Sequence, residues 1–173
     1  MRIAHDRKIH ESFVADALDL PHPDGRFDFA ISIAVVHHFS SPERRVASIK
    51  SILATLRRGT TLGEGGKALI YVWALEQKNS RRGWDESHSQ DVFVPWVLPK
   101  QYIGSSPAAN GRPQVRGEDA DAPNEATTAT TYQRYYHLYR RGELEADVAS
   151  AGGYVIDSGY ERDNWWAICG ILG

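Results

Sequence analysis

Phe27-Asp28-Phe29-Ala30-Ile31-Ser32-Ile33-Ala34-Val35-Val36-His37-His38-Phe39 carries, in its middle, a short apolar run rich in Ile and Val. The run is too short to cross a membrane and too continuous for a strand with one face in water. It predicts a central parallel strand. Its end holds the paired His37 and His38, and Ser40-Ser41-Pro42-Glu43 then opens a helix. Ligands of open α/β sheets lie beyond the carboxyl ends of the strands, so the histidines fall where chemistry is expected.

Outward from this strand, Val46, Ile49, Leu53 and Leu56, joined by Ile52, share one face of a helix that covers the sheet on a single side. Ser40 or Ser41 caps it, Pro42 sits in its first turn, and Glu43 follows Ser40 by three positions as in a capping box. Arg57, Arg58 and Gly59 suit its end. Lys67-Ala68-Leu69-Ile70-Tyr71-Val72-Trp73-Ala74 reads as another buried strand. Strand, helix and strand at this spacing imply parallel pairing.

Upstream, Ser12-Phe13-Val14-Ala15 is a short strand candidate, and His22-Pro23-Asp24-Gly25 is a turn. Downstream, residues 76–85 are polar and basic, and Asp91–Val97 is an apolar island expected to lie extended over the sheet. Residues 104–131 hold three prolines and only Val115 as a sizeable aliphatic. Such a segment buries too little surface to offset its ordering entropy and is expected to be disordered. Tyr132–Arg141 is aromatic and basic, and Gly142–Gly152 is a short helix. Tyr154–Ser158 and Trp165–Cys169 form a closing antiparallel hairpin. The whole reads as one incomplete domain over residues 1–173.

The 173 residues, 42% of them hydrophobic, suffice for a real core. A net charge of −2 leaves nucleic-acid contact to local basic patches. The single Cys169 excludes an internal disulfide and reads as a core thiol. No Cys and His cluster has zinc spacing, so no metal site is expected. No segment is long enough to span a bilayer, and the start is not that of a signal peptide. A reducing interior compartment is the expectation.

Several strings go further than the layout. Residues 15–23 (Ala-Asp-Ala-Leu-Asp-Leu-Pro-His-Pro), Ala34–Ser40, Ala68–Gln77, Ser80–Asp85, Gln90–Trp96 and Gly159–Trp166 resemble the eukaryotic tRNA wobble-uridine methyltransferases that esterify 5-carboxymethyluridine. That family includes the methyltransferase domain fused to an AlkB-like hydroxylase. The resemblance runs from about Phe13 to the end, apart from residues 104–131. It implies an α/β fold: the C-terminal portion of the class I, Rossmann-like S-adenosylmethionine-dependent methyltransferase fold, mostly parallel with a terminal antiparallel hairpin. It also implies S-adenosyl-L-methionine as cofactor, the tRNA anticodon loop as substrate, and a small zinc-binding activator subunit as partner. A cytoplasmic location, and also a nuclear one, follows from it, with no membrane. Two departures stand out. The family's glycine-rich loop and ribose-binding acidic residue have no counterpart in residues 1–12, so weak cofactor binding is expected. Residues 58–66 are also longer than the family's compact turn.

The resemblance places Asp16 and Ala17 at the adenine of the cofactor, with Ile33, Ala34 and Val35 as its floor; a plain turn is the alternative for Asp16-Ala17. His37 and His38 are the catalytic candidates, set against one buried, hydrogen-bonded histidine beside a solvated neighbour. Arg81, Arg82 and Arg134 are candidates for gripping a carboxylate or phosphate, the alternative being a solvated loop. Tyr160 and Trp165 are candidates for stacking a base, together with Trp73, Trp84, Tyr135 and Trp166. Gly63-Glu64-Gly65-Gly66 precedes a strand rather than opening a helix, which argues against a phosphate loop. A small-molecule methyltransferase, or a remnant without cofactor that binds RNA or a protein, are the other readings open at this point.

Because residues 104–131 offer the core almost nothing, replacing them with a short Gly-Ser linker is expected to leave the melting temperature unchanged. A fall of several degrees in thermal melts would show that the segment packs.

Overall fold

The computed structural model describes residues 11–77, 80, 82–98 and 130–173. Arg81 and residues 104–129 lie outside this set; Thr130 and Thr131, at the end of the stretch expected to be disordered, instead open a strand. Met1–Val92 with Tyr135–Gly173 form one compact unit, and Phe93–Arg134 a second.

In the first unit, strand β1 (Phe29–Ile33) leads through one 3-10 turn (Val36–His38) to helix α1 (Pro42–Ala54) and strand β2 (Lys67–Trp73). Strands β3 (Asp91–Leu98) and β4 (Thr130–His137) pair as a two-stranded sheet. Helix α2 (Glu143–Ser150) and strands β5 (Tyr154–Glu161) and β6 (Asn164–Gly170) complete the chain. The main sheet has the order β1-β2-β6-β5. β1 and β2 run parallel, with Phe29 opposite Lys67 and Ile33 opposite Tyr71. β6 pairs antiparallel with both β2 and β5, so two of the three described pairings are antiparallel. The final strand of the hairpin enters between β2 and β5, and that insertion sets the balance.

The core forms on one face. Ala68, Ile70 and Val72 of β2 alternate inward and meet Ala167 and Cys169 of β6 beneath α1 and α2. Ile49, Ile52 and Leu53 of α1 and Leu144 and Val148 of α2 close it. Cys169 is buried, and burial pushes its thiol up to about 11. The capping residue of α1 is Ser41, whose hydroxyl accepts from the Arg44 amide at 3.4 Å. The helix stops at Ala54 rather than running to Gly59. Leu56 bridges to Phe27, and the Arg57 amide donates to the Phe27 carbonyl at 2.8 Å, which draws the chain out of the helix. The glycine-rich turn is structural: the Gly66 amide donates to the Arg57 carbonyl at 2.7 Å, and Gly65 holds φ +81°.

Two expectations are corrected. Residues 12–15 form no strand; only Asp16 makes an isolated bridge, to Asp19. The apolar run from Phe27 is an edge strand of the described sheet rather than a central one. Its Phe29, Ile31 and Ile33 are 57%, 62% and 59% exposed. Among the described residues helices lie over only one face, and the uninterrupted apolar run does not signal burial on both.

Leu53→Ala is therefore expected to cost about 2–5 kcal/mol, as for a fully buried leucine. Ile31→Thr should stay within about 0.5 kcal/mol. Urea denaturation of both variants checks the contrast, and a large loss for Ile31→Thr would mean that this face is covered.

Candidate active site

The carboxyl ends of β1 and β2 meet at the paired histidines. β1 ends at Ile33, and Ala34 takes a left-handed backbone (φ 59°) while its amide donates to the Tyr71 carbonyl at 3.1 Å. This turn aims the two histidines differently. His37 is fully buried. Its Nδ1 accepts from the Trp73 amide at 3.0 Å, so its proton sits on Nε2, which is buried without a hydrogen-bond partner among the described residues. Burial first, and then the nearby His38 and His137, push its pKa down to about 3. His37 is thus neutral near neutral pH, with its Nδ1 taken by the Trp73 amide. It positions the end of β2.

His38 is exposed, and its Nδ1 lies 2.9 Å from the Tyr135 carbonyl. A carbonyl only accepts, so Nδ1 carries a proton. That leaves Nε2 as an acceptor in the neutral ring and a donor in the charged one.

Aromatic rings extend from this point. His38 lies 4.4 Å from Tyr136, and Tyr136 stacks on Trp73 at 4.2 Å and 9°. Trp84 comes next, 6.3 Å from Trp73, with the Arg82 guanidinium 5.3 Å from the Trp84 ring centre. The Gln77 amide donates to the Trp84 carbonyl at 2.9 Å and clasps this loop to the end of β2. A cavity of 240 Å³ results, lined by Trp73, Gln77, Ser80, Arg82, Trp84, Arg162, Asp163 and Asn164. Its far wall is the β5–β6 turn, where Arg162 and Asp163 both have positive φ (45° and 65°), as a two-residue hairpin turn of this hand demands. The Ala74 amide holds that turn through the Asp163 carbonyl at 3.0 Å.

A partly buried charge network reaches His38 through Tyr135. The Tyr135 hydroxyl donates to Asp91, and burial followed by this bond pushes the phenol up to about 12. His137 sits between two carboxylates, with Nδ1 2.9 Å from Asp91 and Nε2 2.6 Å from Glu143. Both nitrogens face acceptors, which calls for the imidazolium. Burial opposes that charge, but the bonds to Glu143 and Asp91 outweigh it and raise the His137 pKa. Arg45, itself buried, lies 3.7 Å from Glu143 and 3.8 Å from Asp147. Asp147 accepts from the Tyr139 hydroxyl at 2.9 Å.

The other candidates fall elsewhere. Trp165 donates its Nε1–H to Glu76 at 3.0 Å, and the Tyr160 hydroxyl lies 2.6 Å from the Glu76 carbonyl and 2.8 Å from Asp163. They line a second cavity, of 270 Å³, with Glu76, Glu86 and Arg141. Asp16 makes a local turn: its Oδ1 accepts from the Leu18 amide at 2.9 Å, and Ala17 lies within that turn. Ile33, Ala34 and Val35 lead from β1 into the histidine turn. Arg134 belongs to the second unit, where its guanidinium lies over Trp96. Arg81 is outside the described residues. Tyr136, Arg162 and Asn164 escaped sequence reasoning. The Arg-Asp-Asn turn after an aromatic strand was the available signal for the last two.

Comparisons with known proteins bear on this arrangement. A family described as a methyltransferase domain matches residues 1–59. A tRNA (carboxymethyluridine(34)-5-O)-methyltransferase of Schizosaccharomyces pombe is 51% identical over 90% of this chain and 61% of its own length. Its namesake in Saccharomyces cerevisiae is 43% identical, over 90% and 66%. In sequence, this chain is similar to both over nine tenths of its own length. It spans less than two thirds of the length of either relative. Among solved structures, an S-adenosylmethionine-dependent methyltransferase from Clostridium acetobutylicum superimposes with a TM-score of 0.59 at 10% identity, covering 99% of this chain and 69% of that one. The PH0226 protein from Pyrococcus horikoshii gives 0.59 at 14% identity, over 98% and 66%. The fold is that of the class I methyltransferases.

The network predicts a pH dependence. Facing His137 are Asp91 from β3, Glu143 from α2 and, beyond them, Arg45 from α1. A raised folded-state pKa gives a contribution to stability that is full below the unfolded value of about 6.5 and is lost as pH rises through the folded value. Melting temperatures are expected to fall on the alkaline side of neutrality, and His137→Gln should flatten that slope. An equal slope in the variant would assign the effect to another group.

Proposed function

We propose that this chain carries the substrate side of a tRNA methyltransferase that converts the carboxylate of wobble 5-carboxymethyluridine to its methyl ester, with only weak cofactor binding of its own. The observation that carries the reading is the cavity joining Trp73 and Trp84 to Arg82 and Arg162 at the strand ends. It offers flat surfaces for a base beside cations for a carboxylate. The similarity to tRNA methyltransferases of this name supports the substrate class.

S-adenosyl-L-methionine, when bound, supplies an electrophilic methyl group. Asp16, Ala17 and Ile33–Val35 suit its adenine end: an exposed carboxylate can accept from an exocyclic amine, and apolar side chains at the end of β1 can floor the ring. The protein's own task is alignment. The substrate carboxylate is already ionised at neutral pH, so no proton need be removed. What is required is an oxygen held in line at about 3 Å. Arg82 or Arg162 can hold one carboxylate oxygen by a charge-assisted bond. Asn164 and Ser80 are neutral partners on the same wall. His38 Nε2 can donate when its ring is charged. A single cation with neutral donors leaves the second oxygen nucleophilic. Trp73, fixed by Tyr136 on one face and by His37 through its amide, gives the base a rigid surface.

The small zinc-binding activator subunit belongs to this proposal as a partner. The exposed apolar Phe13, Val14, Phe29 and Ile31 support a protein surface that is covered in a complex. A cytoplasmic and nuclear location is proposed with it.

Tritium from labelled cofactor should enter tRNA bearing 5-carboxymethyluridine and leave it on mild alkaline treatment, since an ester hydrolyses where N- and C-methyl groups persist. Arg82→Ala is expected to lower incorporation about 10–100-fold, as for loss of a charge-assisted bond. Alkali-stable label would overturn the carboxyl assignment.

A further inference from the structure

In the second unit, three side chains form a cluster. The Arg134 guanidinium lies 3.8 Å from the centre of the Trp96 ring. Tyr132 lies 6.1 Å from Trp96, inclined at 40°. Tyr132 and Arg134 are two residues apart on β4 and so share a face of the two-stranded sheet. Burial usually claims large aromatics, yet Trp96 is 38% exposed and Tyr132 48%. Among the described residues no carboxylate pairs with Arg134. A guanidinium drawn onto an indole keeps its own outer face open, so the cluster presents planar π surface and positive charge together.

We propose that Trp96, Tyr132 and Arg134 form a platform that stacks an unpaired RNA base and attracts its flanking phosphate. The inference rests on the tRNA reading above and adds a second contact to it, made by residues that do not line the Trp73–Arg82 cavity. Single-stranded RNA fits better than duplex, because stacking needs a base turned out of its helix. Arg134 thereby acts as a stacked plane as well as a charge.

Fluorescence anisotropy of a labelled anticodon stem-loop, with a duplex of equal length as control, tests this. Trp96→Ala and Arg134→Ala are expected to weaken stem-loop binding about 5–100-fold, in line with the measured worth of one stacked base, and to leave duplex binding within about twofold. Arg134→Lys keeps the charge but loses the plane, and should be nearly as weak as Arg134→Ala. Thermal melts confirm folding, and if Trp96→Ala unfolds, Tyr132→Ala and Arg134→Lys carry the test. Stem-loop affinity unchanged in the variants, or fully restored by lysine, overturns the platform. Where that happens while Arg82→Ala still lowers methylation, the tRNA reading stands without it. A parent chain that binds no RNA removes both.

Discussion

The hydrogen bond from the Trp73 amide to buried His37 Nδ1 is the contact on which the site depends. β1 and β2 are parallel, so their carboxyl ends lie side by side, but parallel pairing alone does not fix the path of the chain as it leaves each strand. The histidine does. A neutral imidazole accepts the amide that β2 would otherwise leave unpaired at its end, and an unpaired buried amide is costly. The same bond orients the residue that carries the indole. Tyr136 stacks on that indole and His38 packs on Tyr136, so the ring series inherits its position from one backbone amide.

Two kinds of support meet at this point. Above the sheet, Ile49, Leu53, Leu144 and Val148 bury β2 and β6 from one side, which holds the strand ends through ordinary packing. Beside it, the Arg45–Glu143–His137–Asp91 network uses charges that burial alone would penalise. Such a network stabilises little compared with an apolar substitute, but it is demanding in geometry. Its last member, Tyr135, offers His38 the carbonyl that sets the imidazole tautomer. The network therefore links α1 and α2 to the exposed member of the histidine pair. Packing holds the strands, and the polar network orients the ring.

Much of this was legible in the sequence because local chemistry and tertiary outcome agree there. The helix after Ser41, the strand from Lys67 and the closing hairpin follow from capping, alternation and turn residues. A histidine pair divided into one buried and one solvated member is the blander of the two readings open from sequence, and it is what the structure holds. What failed had a common cause. Whether β1 is central or at an edge, and whether Phe13 pairs with anything, depends on which strands neighbour it, and a single strand's composition carries no record of its neighbours. Residue type alone marks Tyr160 and Trp165 as stacking surfaces; the fold ties their polar atoms to Glu76 and Asp163 and sets them in the second cavity, while the less conspicuous Arg162 and Asn164 line the first. Polar residues in a turn have many possible partners, and only the register of β5 on β6 selects among them.

The backbone itself marks where the fold accepts strain. The non-glycine residues with left-handed φ among those described are Ala34, Arg162 and Asp163. Each such conformation costs of order 1–3 kcal/mol and persists only where its surroundings over-determine it. Ala34 turns β1 into the histidine segment and is held by the Tyr71 carbonyl. Asp163 faces the end of β2 and is held by the Ala74 amide. Both anchors are main-chain groups of β2 or of the residue just past it. The strain is thus concentrated around the carboxyl end of one strand, and no non-glycine residue elsewhere in the described chain shares it. Inferring function from such outliers is sound only in this direction, from an observed strained position to the site it shapes. Here all three positions border the histidine turn or the cavity. These turns lead into the segments that carry His38 and Arg162 at the carboxyl end of β2.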